Sequence, residues 1–181
     1  MGAEVITIEA PGGEQNRRAA PIRDGESAVY GHLNCGKHSI AIDLKSSEGH
    51  RIVLDLARHC DVVVENARPG VMARLGLDYD AIRAVKPDTI YCSISGFGQT
   101  GPYSKRAGYA SVGEAMGGLR VLIGDPDRKP ARAGISLGDS LAGMFGCMGA
   151  LTALHHRERT GEGQVVDASI YESVLAMMEA T

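Results

Sequence analysis

The sequence contains no tryptophan, only two phenylalanines and no long uncharged apolar run. Because aromatic residues make up only 4% of the 181 positions, the core must be built from aliphatic side chains and alanine. No apolar run reaches the roughly 20 residues that a membrane-spanning helix needs. The first residues, MGAEVITIEA, also lack the basic segment of a signal peptide. We therefore predict a cytoplasmic protein that does not interact with a membrane.

Cysteines are scattered and positive charge is not in excess. Cys35, Cys60, Cys92 and Cys147 form no Cys-x-x-Cys pair, which argues against a zinc site or a disulfide framework and favours reduced thiols. The motifs H-E-x-x-H and G-x-S-x-G are also absent, so we predict no metal site and no serine nucleophile. With 19 basic and 22 acidic residues the net charge is -3, which disfavours nucleic-acid binding through a broad basic surface.

Short β-branched runs alternate with helical patterns along the chain. The predicted strands are Val5–Glu9, Ser39–Leu44, Asp61–Glu65, Thr89–Ser95 and Gln164–Ala168. The predicted helices cover 48–59, 69–76, 79–85, 114–119 and 137–159, with a last one from Ser169 onward. This alternation predicts an α/β fold, a Rossmann-like open parallel sheet with flanking helices. Both the continuous apolar strand at Asp61–Glu65 and the long apolar helix are expected to be buried.

Both ends of the sequence look truncated. The first residues already read as a strand, with no preceding strand and helix, and the last residues, SVLAMMEAT, read as the inside of an apolar helix. Natural domain boundaries fall more often in polar linkers. We therefore expect residues 1–181 to be a partial domain of a longer polypeptide.

Asp139 is the strongest candidate for a catalytic residue. It stands in Gly138-Asp139-Ser140, directly before the apolar run Leu141–Leu154. The helix dipole favours a negative charge at this point, so the carboxylate should stay ionised and could attack an activated acyl group. The alternative from local sequence is that Asp139 or Ser140 only caps the helix.

Two segments that follow predicted strands could bind a ligand. Open parallel sheets bind ligands beyond the carboxyl ends of their strands, where the glycine-rich loop Gly96–Tyr103 and the segment Glu65–Gly70 begin. Arg68 and Arg74 can pair with phosphates, and further basic residues follow at Lys45 and at 105–106, which favours an anionic ligand. The alternative for each of these residues taken singly is an ordinary solvated surface position.

Taken together, five ordered segments give a specific resemblance. They are VITIEAPGG, NCGKHSIAIDLKSSEG, DVVVENARPGVMARLGLDYDAIRAVKPDTIYCSISGFGQTGPY, GISLGDSLAG and TGEGQVVDASIYESVLAMME. In this order they resemble the class III CoA-transferases, the CaiB/BaiF or formyl-CoA transferase-like family. Members of that family are longer, so the resemblance implies that a first strand and helix and a second domain are absent here. It also implies an interlocked homodimer for the full-length protein.

The resemblance implies a chemical role for particular positions. Asp139 matches the aspartate that is acylated by an acyl-CoA and then carries CoA as an aspartyl thioester. A free carboxylic acid then accepts the CoA, and the segments GISLGDSLAG and YASVGEAMGGLR resemble members that use small dicarboxylic acids. Coenzyme A would be a substrate, with no permanently bound cofactor. The matching CoA-binding positions are Ile42, Asp43, Leu44, Lys45, Asn66, Ala67, Arg68, Arg74, Lys105 and Arg106.

The sequence also departs from the family pattern. Ala10 stands where relatives often have a basic residue that contacts CoA, and Tyr109-Ala110 stands where the racemase branch has a catalytic His-Asp pair. The leading hypothesis is therefore a CoA-transferase. The alternatives are a chain that only binds CoA or is inactive, and an isomerase resembling the 2-methylacyl-CoA racemases.

Overall fold

The computed structural model describes residues 2–179 and has the expected α/β architecture, with parallel strands and flanking helices. The chain forms two compact units, Met1–Val53 and Leu54–Thr181. Each unit contains its own hydrogen-bonded parallel strands, as the alternation of strands and helices predicts. The helix α2, Ser47–Ala57, contains the boundary.

The first unit is built on a parallel pair of strands. β1, Ile6–Glu9, pairs with β4, His38–Ala41, in the register Ile6 to His38 through Glu9 to Ala41. Between them the chain forms a short 3-10 helix, an antiparallel strand pair and a helix. These are the 3-10 helix Gln15–Arg18, β2 Ile22–Arg23, β3 Glu26–Ser27 and α1 Ala28–Leu33. No strand or helix between residues 11 and 24 is among the elements that the sequence predicts.

A buried carboxylate orders this segment. Glu9 is only 4% exposed, and its two oxygens accept hydrogen bonds from the guanidinium of Arg17 at 2.6 and 2.7 Å. The hydroxyls of Tyr30 and Ser39 and the backbone N–H of Glu14 donate to the same group. These bonds hold the pKa of Glu9 well below its usual range. The network cannot be seen in the sequence because its donors lie 5 to 30 residues from Glu9.

The second unit contains a three-stranded parallel sheet. β5 Val62–Glu65, β6 Ile90–Ser95 and β7 Gln164–Ser169 lie in the order β5-β6-β7. The helices of this unit are α3 Val71–Arg74, α4 Tyr79–Val85, α5 Ala110–Met116, α6 Leu119–Leu122, α7 Leu137–Thr160 and α8 Ile170–Leu175.

The core of this unit lies around the central strand β6. Ile90, Tyr91 and Cys92 are at most 3% exposed, and the hydroxyl of Tyr91 donates to the backbone oxygen of Leu77. The prediction that the apolar run Asp61–Glu65 is a fully buried strand is wrong. It forms β5, which pairs only with β6 among residues 2–179, and Val64 is 60% exposed.

Small residues decide how α7 packs, and the expectation that this helix is buried all round is wrong. Its buried positions are Gly138, Ala142, Gly146 and Ala153, while Met144, Met148 and Leu151 are more than half exposed. A stripe of glycine and alanine lets the helix lie close to β6 and β7, which leaves its large side chains on the outer face. Among the described residues, α7 is also the one helix long and apolar enough by length and composition to cross a membrane.

Two helix predictions fail at their ends. The sequence predicted one helix over 114–119, but the chain forms α5 and α6 separated by Gly117 and Gly118. Gly118 has a φ of +91°, which a continuous right-handed helix cannot contain. The last helix was expected to run to the end of the chain; α8 ends at Leu175, turns follow to Glu179, and residues 180–181 lie outside the described part.

Changing Glu9 to glutamine removes the charge that the network stabilises. We expect the Glu9→Gln protein to be less stable than wild type at pH 7. The difference should shrink as the pH falls below about 4, because a depressed carboxyl pKa contributes its full stability above the unfolded pKa and loses it progressively as the pH falls toward the folded pKa. Urea unfolding between pH 7 and pH 3 measures this. Glu26→Gln, an exposed position, is the control and should keep the wild-type pH dependence. A constant difference between Glu9→Gln and wild type would contradict the assignment.

Candidate active site

Asp139 lies in the first turn of α7 and does not cap it. The N-cap residue is Ser136, whose side chain makes no capping hydrogen bond. The hydroxyl of Ser140 donates to the backbone oxygen of Ser136 at 3.1 Å and so does not cap the helix either. The capping alternative for Asp139 and Ser140 is therefore wrong, and the carboxyl group needs another explanation.

Close backbone packing brings the start of α7 against α5 and α8. A Cβ added to Gly138 would lie 2.8 Å from a methyl carbon of Ile170 and 3.2 Å from the backbone oxygen of Ala110. A larger residue at 138 would push the helices apart. The approach lets the backbone N–H of Ala110, the first residue of α5, bond to the carboxyl group of Asp139.

Two effects raise the pKa of Asp139. Partial burial of the carboxyl group is the larger, and the negative charge of Glu114 adds to it, while the hydrogen bond from Ala110 acts in the opposite direction. The helix-dipole argument from sequence alone predicts only stabilisation of the charge. The residue as a whole remains exposed, so a ligand can reach it. A reachable, partly desolvated carboxylate suits nucleophilic attack.

The glycine-rich loop is closed at its base by a backbone contact. A Cβ added to Gly96 would lie 2.5 Å from the Cα of Gly108, so both positions require glycine. Within the loop, the backbone N–H of Gln99 donates to the carboxylate of Asp167 at 2.8 Å. Sequence reasoning missed Asp167. Its position near the carboxyl end of a parallel strand was the available signal.

A cavity of about 260 Å³ opens between the loop and the ends of β5 and β6. Glu65, Arg68, Ser93 and Gln99 are among the residues that line it. The side-chain nitrogen of Gln99 is buried there without a hydrogen-bond partner in the described part of the chain. The structure thus brings together residues of the two segments, 65–70 and 96–103, that the sequence indicated as separate ligand loops.

The other predicted positions of this unit are mostly solvent-facing. Asn66, Arg74 and Lys105 are exposed, and Ala67 uses its backbone N–H on the carboxylate of Glu65 at 2.7 Å. Within residues 2–179, neither Arg74 nor Lys105 forms an ion pair. These cations are therefore available to an anion.

Arg106 is held differently from Lys105. Its guanidinium lies 4.4 Å from the ring centre of Tyr103, and that ring packs against Phe97 with 5.7 Å between ring centres. The contact fixes the direction of the Arg106 side chain along the loop. Arg106 thus packs on the aromatic ring of Tyr103, which in turn packs against Phe97.

The predicted positions 42–45 belong to the first unit. Ile42 is 5% exposed and its N–H donates to the backbone oxygen of Glu9, so its side chain serves the core. Asp43 accepts a hydrogen bond from the N–H of Lys45 and thereby stabilises the turn before α2. Leu44 is half-buried, and the Lys45 side chain is exposed. Of these four residues, Lys45 presents a free cation.

No metal centre is formed by the residues that the structure describes. Across 2–179, no group of three or more histidine, cysteine or acidic side chains is arranged so that it could hold a metal ion.

Comparison with known proteins identifies the family. The model of CoA-transferase family III matches residues 1–181. Succinyl-CoA–D-citramalate CoA-transferase of Chloroflexus aurantiacus is 51% identical, over 99% of this chain and 45% of that protein. Succinyl-CoA:glutarate CoA-transferase of Mus musculus is 41% identical, over 98% of this chain and 41% of that protein.

The solved structures agree with the sequence relatives. A CaiB/BaiF family protein from Brucella suis superposes with a TM-score of 0.94 at 38% identity, over 98% of this chain and 48% of that one. The chain thus spans about half the length of the relatives that it matches. The resemblance that the five sequence segments indicate is confirmed, and the chain belongs to CoA-transferase family III.

Proposed function

We propose that the whole protein transfers CoA from an acyl-CoA to a free carboxylic acid, with Asp139 as the nucleophile. The observation that carries this proposal is the position of Asp139. The residue is exposed, does not cap α7, and its carboxyl group accepts a hydrogen bond from the N–H of Ala110. Relatives named as transferases between succinyl-CoA and citramalate or glutarate support succinyl-CoA as donor and a small dicarboxylate as acceptor.

In the first half-reaction, an oxygen of the Asp139 carboxylate attacks the thioester carbonyl. The C–S bond breaks, the CoA thiolate leaves, and a mixed anhydride remains on the enzyme. The thiolate then attacks the aspartyl carbonyl carbon, which releases the donor acid as a carboxylate and leaves CoA as a thioester on Asp139. A positioned carboxylate makes each attack effectively intramolecular.

The second half-reaction reverses these steps with a new acid. The acceptor carboxylate attacks the aspartyl thioester and expels the CoA thiolate, which then attacks the acyl carbon of the acceptor. The new acyl-CoA leaves, and the Asp139 carboxylate is restored. No proton, electron or cofactor is consumed, so the chain needs only to bind and orient two carboxylates and one thiol.

The exposed cations suit the phosphates of coenzyme A, which acts as substrate and not as a bound cofactor. We propose that Arg74 and Lys105 contact phosphate oxygens, together with Arg68 at the mouth of the 260 Å³ cavity. The isomerase alternative is disfavoured, because Tyr109 and Ala110 stand where the racemase branch has its catalytic His-Asp pair, so neither the imidazole nor the carboxylate is present.

We further propose that the whole protein is a cytoplasmic homodimer that uses no membrane and no nucleic acid. The exposed residues Met144, Met148 and Leu151 recur at helical spacing on the outer face of α7. An apolar face of this kind favours burial against another protein surface. The exposed thiols of Cys35 and Cys147 favour a reducing compartment.

Hydroxylamine trapping tests the role of Asp139. With succinyl-CoA and hydroxylamine, we expect the whole protein to acquire a hydroxamate on the peptide that contains Asp139, detected by mass spectrometry, because hydroxylamine attacks the activated aspartyl carbonyl. Asp139→Asn should lose both the label and at least a thousandfold of the transfer rate. Asp127→Asn, at an exposed loop position, is the control. Turnover by Asp139→Asn at the wild-type rate would refute the mechanism.

Substituting Arg74 tests the phosphate contact. Arg74→Gln should raise KM for succinyl-CoA about tenfold with little change in kcat, since a hydrogen bond to a charged group contributes about 1.5 kcal/mol. KM for succinyl-pantetheine, which has no nucleotide phosphates, should not change. Arg159→Gln, exposed at the end of α7, is the control. An equal rise of KM for both thioesters would show that Arg74 does not contact the nucleotide phosphates.

A charge on the outer face of α7 tests the dimer. Met148→Glu should weaken association of the whole protein by a factor of ten or more, because a carboxylate would be buried without a partner. Sedimentation across a concentration series measures the effect. Ala84→Glu, at an exposed position of α4, should associate as wild type does. A wild-type protein that sediments as a monomer would contradict the proposal.

A further inference from the structure

Glu114 is a buried acidic residue that the transfer reaction does not by itself require. It lies in α5 with 0% of its surface exposed. One carboxyl oxygen has no hydrogen-bond partner among residues 2–179, and the other accepts only a long bond of 3.4 Å from the N–H of Ala133. A carboxyl group buried in this way costs free energy. A leucine or methionine would fill the same volume without that cost, so the acid calls for a functional explanation.

The position of Glu114 points to Asp139. Glu114 lies one helical turn after Ala110, so the two residues share a face of α5. Ala110 contacts the start of α7 through Gly138, and its N–H bonds to the Asp139 carboxyl group. The carboxyl group of Glu114 therefore lies on the residue one helical turn after Ala110, whose N–H bonds to Asp139.

The groups around Asp139 come from the helices α5, α7 and α8. From α5 come the negative charge of Glu114 and the N–H of Ala110, and from α8 comes the apolar side chain of Ile170, packed on Gly138. The first turn of α7 itself favours a negative charge. Glu114 is the group in this set that opposes excessive stabilisation of the carboxylate, and an overly stabilised carboxylate is a poor nucleophile.

We propose that Glu114 is a positioning residue for Asp139, whose charge behind the amino end of α5 keeps the aspartate reactive toward thioesters. The proposal rests on the proposed function, because it assigns Glu114 a role only if Asp139 is acylated. Glu114 touches neither substrate and acts through the electrostatic environment of Asp139 and through its bond to the segment leading into α7.

Glu114→Gln tests the proposal, because it keeps the shape and the acceptor oxygen for Ala133 but removes the charge. The rate of Asp139 acylation by succinyl-CoA is measured in single turnovers between pH 3.5 and pH 8. Without the neighbouring charge, Asp139 ionises at lower pH. The acid limb of the profile should therefore move down, by about half a pH unit to one unit.

Two further variants separate charge from packing. Glu114→Asp keeps the charge and should retain an acid limb closer to that of wild type, although it shortens the side chain and lowers the melting temperature. Glu158→Gln, exposed on α7, makes the same chemical change away from the site and should leave the profile unchanged. An unmoved acid limb in Glu114→Gln, with only a lower melting temperature, would overturn the proposal and leave Glu114 a structural residue.

A measurement on the wild-type protein covers the case in which Glu114→Gln does not fold. The carboxyl ¹³C resonance of Asp139, identified by its loss in Asp139→Asn, should titrate above the usual range of an aspartate, because partial burial and the neighbouring charge of Glu114 both raise the pKa of Asp139. A titration of Asp139 at or below the usual aspartate range would overturn the proposal. If wild type forms the Asp139 hydroxamate but Glu114→Gln keeps its acid limb, only the role of Glu114 fails. If no hydroxamate forms, both proposals fail.

Discussion

The geometry of the candidate site depends on the close contact between α5, α7 and α8. Gly138 lies against Ile170 and Ala110, and Gly113 lies against Ile170 at a distance where a Cβ would come within 2.6 Å of a methyl carbon. Glycine at these positions lets the helix backbones approach more closely than any larger residue would allow. The hydrogen bond from Ala110 to Asp139, and the influence of Glu114 on that carboxyl group, both follow from this approach.

The surroundings of Asp139 balance opposing electrostatic effects. The helix start and the Ala110 N–H favour the charged form, while partial burial and Glu114 oppose it. In the proposed transfer reaction Asp139 would serve in turn as nucleophile and as leaving group, and such a balance suits both roles. Glu9 differs from Asp139, because its surroundings lower the pKa of its carboxyl group. That carboxylate receives several donors and is fixed in its charged state, which suits a structural role.

Much of the fold could be predicted from local pattern, and the failures have physical causes. The strands β6 and β7 and the helices α4 and α7 were predicted within a residue of their ends, because their apolar periodicity and their bounding glycine or proline residues are local signals. Burial was harder to predict. The apolar run of β5 and the large side chains of α7 are exposed because burial depends on neighbouring elements, which periodicity does not identify. Asp139 and the two predicted ligand segments can be proposed from local sequence alone, whereas Asp167 and Glu114 cannot, because their partners are distant along the chain or contact them through backbone atoms.

The contact between Gly96 and Gly108 has a consequence for how this site can change during evolution. Since the two ends of the loop meet backbone to backbone, the path of β6 before it and of α5 after it is set independently of the eleven positions in between. Insertions, deletions or altered side chains there can change the shape of the loop while Asp139 and the helices around it stay in place. The loop can therefore diversify in sequence without a change in the packing around Asp139.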